Sequence, residues 1–133
     1  MEWEKLEEEF LKNEHGLVVA ECGNEISEIL GCSEKSMEVI LSPVSLRKNL
    51  HHHPDIGLEE YLILDVLIRT PDLILQDRAY HVIVISSRDQ IVYHCVLKCT
   101  RSGKTLFLIS FRRTSEKDIQ RITQRSKLVV KGK

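Results

Sequence analysis

Three consecutive imidazoles, His51-His52-His53, precede Pro54-Asp55, and further along the chain come a phenol, a hydroxyl and two guanidiniums at Tyr93, Ser110, Arg112 and Arg113. Histidine gains or loses its proton near neutral pH, so it can serve a reaction as acid or base. An Arg fork beside hydroxyl donors fits phosphoryl oxygens. These residue types suit proton transfer at a phosphodiester, provided that the fold brings them to one place.

Metal and thiol chemistry are disfavoured by spacing. Adjacent histidine side chains diverge, and no carboxylate or cysteine stands at a familiar ligand spacing from them, so no metal and no other cofactor is expected. Cys22, Cys32, Cys95 and Cys99 form no Cys-x-x-Cys pair. Cys95 and Cys99 sit four residues apart on one expected strand, about 13 Å at the usual rise, too far for a disulfide or a shared zinc. All four read as small apolar side chains in a reducing compartment. His15, His81 and His94 stand alone and read as structural.

The charge is unevenly shared. Residues 1 to 66 hold five Lys/Arg against fifteen Asp/Glu, and residues 67 to 133 hold fourteen against five. The basic half can therefore meet a polyanion and the acidic half cannot, so the site is expected C-terminally. A chain of 133 residues with 42% hydrophobic and 29% charged side chains suits one soluble domain. Its start, Met1-Glu2-Trp3-Glu4-Lys5, is acidic and leads into no long apolar run. Neither a secretory signal nor a membrane span is expected, and the cytoplasm is the expected location.

These residues need elements to position them. Trp3, Leu6, Phe10 and Leu11 at helical spacing predict an acidic amphipathic helix over residues 2 to 12. Asn24 is placed to cap a helix ending at Leu30 before Gly31. Met37 to Leu41 suits a strand, and Ser42-Pro43 starts a short helical stretch carrying Leu46 and Leu50. The histidines form a polar break before a helix from about Gly57 to Arg69, apolar nearly all round and so expected at the centre of the core, with Pro71 ending it.

Three β-branched-rich runs follow, Tyr80 to Ser86, Gln90 to Thr100 and Lys104 to Arg112, separated by Ser87-Arg88-Asp89 and Arg101-Ser102-Gly103. Thr114 or Ser115 then caps a last helix, with Asp118 placed for a capping box from Ser115 and with Ile119 and Ile122 facing inward. The order predicts an α+β domain, with N-terminal helices on one face of a small antiparallel sheet built from a three-strand meander and additional short strands, and a C-terminal helix. One domain is expected over 1–133: an acidic helix to residue 16, a core over 17–125 and a basic tail over 126–133.

Two-residue turns at Arg88-Asp89 and Ser102-Gly103 would put Cys95 opposite Ser110 and Val82, and Tyr93 opposite Arg112 and Val84. Tyr93, Ser110 and Arg112 then share one face as a phosphate patch. The greasier face, with Ile83, Ile85, Val92, His94, Val96, Lys98, Phe107, Ile109 and Phe111, would take the helices. A one-residue slip would exchange the faces and expose His94 and Lys98.

Several pieces in order resemble the phage-borne members of the barnase, EndoU, colicin and RelE-like nuclease group, over roughly residues 17 to 125. They are residues 24–31 (NEISEILG), 37–42 (MEVILS), 53–56 (HPDI), a helix closed by Thr70-Pro71-Asp72, and 106–111 (LFLISF) before a helix. The resemblance implies a small curved antiparallel sheet with N-terminal helices, and toxin-type RNA cleavage without metal. It puts His53 at the group's histidine position and Ser110 at its hydroxyl position, with Lys98, Arg112 and Arg113 where basic residues are common. The chain departs from the pattern in its three consecutive histidines and its more acidic first helix.

Cleavage of that kind needs a base for the 2′-hydroxyl proton, cations for the phosphorane and an acid for the leaving oxygen. His53, Lys98, Ser110 and Arg112 are the candidate catalytic residues. Tyr93, which can stack on a base, Lys104, which opens the third strand, and Arg113 are the candidate RNA or phosphate contacts. RNA is the expected partner, with an antitoxin or immunity protein as a further one. The alternatives are a nucleic-acid-binding module without catalysis and a protein-interaction domain whose oppositely charged halves associate. The first-helix glutamates could also mask the basic cleft.

Overall fold

A computed structural model of the protein describes residues 16–32, 37–125 and 127–131. The elements run β1 (Leu17–Cys22), α1 (Asn24–Leu30), β2 (Met37–Leu41), α2 (Pro43–His52), α3 (Leu58–Leu62), α4 (Leu64–Arg69), β3 (Leu73–Arg78), β4 (His81–Arg88), β5 (Ile91–Cys99), β6 (Leu106–Thr114), α5 (Glu116–Arg125) and β7 (Lys127–Lys131). The class is α+β. The expected first helix, with Trp3, Phe10 and the glutamates, lies outside the described residues.

Local sequence explains most boundaries. Gly31 takes the left-handed conformation (φ 67°) that ends α1, while Gly23, not Asn24, precedes its first turn without a side-chain cap. Ser42 Oγ accepts from Ser45 N at 3.1 Å and Pro43 opens α2, which runs on through His51 and His52 instead of breaking before them. The expected single helix from Gly57 is two short ones, parted at Ile63. They are not buried all round, since Leu62 is 48% and Val66 41% exposed.

One seven-stranded sheet runs in the order β1-β2-β6-β5-β4-β3-β7. It is mixed, because β2 meets β6 in parallel through Val39↔Leu106 and Ile40↔Phe107. Everything between those strands serves as the long crossover a parallel pair requires. Three strands escape the sequence reading: β1, β3 and β7, the last lying where a basic tail is expected. β1 and β3 are short, and the lysines that bound β7 hide its apolar centre.

The register departs from the expected one at the β4–β5 turn and, between β5 and β6, only past Ile109, because Cys99↔Leu106, Lys98↔Phe107 and Leu97↔Leu108 keep the expected register; these departures decide which side chains meet. The β4–β5 turn is Asp89-Gln90, both at positive φ (52° and 69°), so Val84 lies opposite Cys95. Between β5 and β6 the connection spans 100–105, and a bulge follows: Leu97 faces Leu108, but Val96 faces Ser110. Ile109 is the extra residue, and it turns everything after it to the other side. Tyr93 therefore opposes Arg113, His94 opposes Arg112 and Cys95 opposes Phe111.

The bulge moves Ser110 and Arg112 off the Tyr93 face and Phe111 onto it, while β4 and β5 keep the expected faces, and the helices take the Tyr93 face instead of the other. Val82, Val84, Tyr93, Cys95, Leu97, Leu106, Leu108 and Phe111 form the main core with Ile26 and Leu30 of α1, Leu46 of α2, Tyr61 of α3, and Leu64, Leu67 and Ile68 of α4. On the reverse face Leu75, Ile83 and Ile85 pack with Ile122 of α5, supported by Leu73, Val92, Val96 and Ile119. The helices before the meander thus cover the Tyr93 face, and α5 covers part of the other.

Beyond Phe107 no β2 partner is left for β6, and α2 takes its place at that edge. Asn49, only 5% exposed, accepts from Phe111 N at 2.9 Å through Oδ1 and donates to the Tyr61 hydroxyl at 2.7 Å through Nδ2. One amide thus stands in for a strand and satisfies two buried groups. It also anchors α2, which is closed by His53 at its C-cap, with the His53 N–H on Asn49 O.

Candidate active site

His94 and Arg112 face each other across β5 and β6, and Val96 and Ser110 do so one step along the same face. Lys98 continues that face of β5, opposite Phe107 and His81. His53 enters from the end of α2. Its pKa is lowered from the ordinary value, first by burial and then by the Arg112 guanidinium, so the imidazole is neutral at neutral pH.

His94 is the second imidazole of the group. It is 6% exposed, and its Nδ1 has no hydrogen-bond partner. Burial, with Arg112 next in weight and His53 among the smaller causes, pushes its pKa down to about 4. Two histidines and one guanidinium therefore lie within electrostatic reach of one another, and both rings are held in the proton-accepting form.

Arg112 is itself held by α5. Its Nη1 donates to Asp118 Oδ2 at 3.1 Å, with both side chains about a quarter exposed. Asp118 also takes Arg121, and Arg112 leads the causes that hold its pKa below the usual carboxylate range. Ser115 Oγ accepts from Asp118 N at 3.3 Å, which pins the first turn of α5. A carboxylate thus sits against Arg112 where a phosphate oxygen could compete for the same donors.

Tyr93 and Arg113 lie on the opposite face, committed to a different partner. Glu60 of α3 accepts from Arg113 Nε at 2.8 Å and Nη2 at 2.7 Å, from the Tyr93 hydroxyl at 2.7 Å, and from Gly57 N at 3.0 Å. The Arg113 fork leads in holding its pKa down at about 2. Tyr93 is 2% exposed, stacks near Phe111 with ring centroids 5.5 Å apart, and has its own pKa raised to about 12 by burial and then by Glu60. These residues line an open cleft of about 730 Å³ together with Glu59, Arg88, Asp89 and Ile91, and that cleft contains no imidazole. Glu60 has already taken up both polar groups of this floor.

The sequence-predicted set is thus divided. Lys98, Ser110 and Arg112 share the reverse side of the sheet, and His53, at the end of α2, lies within electrostatic reach of Arg112; Tyr93 and Arg113 are across the sheet; Lys104 is exposed in the 100–105 connection, far along β6 from Arg112. The expected patch of Tyr93, Ser110 and Arg112 does not form, because the Ile109 bulge separates the phenol from the other two. Sequence reasoning held His94 only as an alternative exposed by a register slip, read Asp118 only as a capping residue, and passed over Glu60. Only His94 carried a signal, as a titratable residue between Val92 and Val96.

Among the described residues no group of three or more His, Cys, Asp or Glu could hold a metal ion, and no helix is long and apolar enough to cross a membrane. No protein-family model, curated protein or solved structure matches the chain.

Proposed function

We propose that this chain is a metal-independent endoribonuclease of toxin type, of the barnase, EndoU, colicin and RelE-like kind, acting on RNA in a cytoplasm and restrained by a dedicated antidote protein. The observation that carries this reading is that His94 faces Arg112 across β5 and β6, with His53 within electrostatic reach of both. Neutral His53, at the more open end of the group, takes the proton of the 2′-hydroxyl. Arg112 and Lys98 hold the charge that grows on the phosphate, and Ser110 donates to a non-bridging oxygen. A bound phosphate offsets the Arg112 charge and raises the pKa of His94, which then takes up a proton from solvent and passes it to the leaving 5′ oxygen.

A binding module without catalysis is the second reading, favoured by the burial of His94 and by the engagement of Arg112 with Asp118. One experiment separates the two: purified protein incubated with bulk RNA in chelator, beside His53→Ala. The nuclease reading expects 2′,3′-cyclic phosphate ends that His53→Ala abolishes while its circular dichroism is unchanged. Retained RNA binding without new ends in the parent protein would leave the binding module.

A further inference from the structure

Away from the histidine cluster, two thiols meet that the chemistry above does not use. Cys32 follows the left-handed Gly31 at the end of α1, with its N–H on Ser27 O at 2.9 Å, and Cys99 ends β5, with its N–H on Tyr80 O at 2.8 Å. Their sulfurs lie 3.5 Å apart although the residues are separated by 67 positions. Cys99 is 1% exposed, whereas Cys32 is partly open to solvent. The other two thiols are placed differently: Cys22 is buried against Ser27 Oγ at 3.4 Å, and Cys95 is wholly buried.

We propose that Cys32 and Cys99 form a modification site, a dithiol that a low-molecular-weight disulfide such as oxidised glutathione converts to an intramolecular disulfide. Cys32, the accessible member, attacks one sulfur of the small disulfide as its thiolate; a Cys32–glutathione bond forms and one glutathione thiolate leaves. Cys99 then loses its proton to solvent and attacks the Cys32 sulfur, and the second glutathione thiolate leaves. Two protein thiols are oxidised by two electrons, one small disulfide is reduced to two thiols, and the two protons end on the released glutathione. The sulfurs must close by about 1.5 Å to reach disulfide bonding distance, within the range of side-chain rotation.

The surroundings set the speed. Burial first, then the hydrogen bond to Cys99 and the proximity of Cys99 and Cys22, push the Cys32 thiol up to about 12. Reaction at neutral pH is therefore slow and is driven by excess oxidant or by alkaline solution, unlike that of an activated catalytic thiol. The product ties the end of α1 to the end of the strand that carries His94.

The test treats the folded, reduced chain with excess oxidised glutathione at mildly alkaline pH and follows intact mass and non-reduced peptide maps. The expected result is a mass lower by two hydrogen atoms, a linked Cys32–Cys99 peptide, and return to the starting mass with dithiothreitol. Cys99→Ala should stop at a glutathione adduct on Cys32, and Cys32→Ala should take up no glutathione. The proposal is overturned if the parent chain forms no linked peptide, if Cys32 pairs with Cys22 instead, or if the link appears only in denaturant. The parent mass alone decides, so a poorly folded variant does not rescue the idea.

Discussion

Replacing Asn49 by alanine removes at once the acceptor for Phe111 N–H and the donor to the Tyr61 hydroxyl. Both partners are buried, Phe111 completely and Tyr61 to 6% exposure, so water cannot take over readily. Each buried group left unpaired costs roughly 1–3 kcal/mol. Asn49→Ala should therefore lose about 2–6 kcal/mol, a large part of the roughly 5–15 kcal/mol that holds an ordinary domain together. Tyr61→Phe removes only the hydroxyl and leaves one amide hydrogen pair unused, so it should lose about 1–2 kcal/mol. Adding Asn49→Ala to it then orphans only Phe111 N–H, and the double variant should be less harmed than the sum of the singles by about 1 kcal/mol or more. Urea unfolding followed by circular dichroism, with slopes compared as well as midpoints, measures all four proteins. An Asn49→Ala loss below about 0.5 kcal/mol, or strictly additive losses, would refute the claim that this amide replaces a strand at the β6 edge.

Two more predictions concern the histidine cluster. Asp118→Asn releases Arg112 and should tighten RNA binding several-fold at low salt with a steeper salt dependence; an unchanged slope would show that Asp118 does not compete with phosphate. His94 is held near 4 in the folded chain, against about 6.5 when unfolded, so the unfolded state takes up this proton first as pH falls. Stability should be level in this respect above about pH 6.5 and decline toward pH 4 by up to roughly 3 kcal/mol, and His94→Leu should flatten that decline. Equal pH slopes in the two proteins, read from urea midpoints, would count against the buried neutral ring.

The parts of the fold legible in the sequence were those with strong local chemistry. Gly31 marked the end of α1, Ser42-Pro43 the start of α2, and the period-two runs the strands from His81 to Thr114. Leu106 to Phe111 is apolar at nearly every position, so alternation carried no information about which side chains face inward there. The bulge at Ile109 is invisible in such a run, and with it went the register, the faces and the company of Ser110. The turn was similarly ambiguous, since Arg88-Asp89 and Asp89-Gln90 are both polar; only the positive φ of Asp89 and Gln90 separates them. At the site, residue type pointed to His53, Ser110 and Arg112, whereas Asp118 and Glu60 owe their roles to contacts made across the fold.

The unpaired Ile109 lets a single strand keep two appointments. Up to Leu108 the inward beat falls on even numbers, and after it on odd ones, so Phe111 still fills the interior while Ser110 and Arg112 are delivered outside. The length of that segment is consequently constrained more tightly than its composition. Exchanging one aliphatic for another there alters volume alone, but a chain one residue shorter would have to choose between its greasy anchor and its cation.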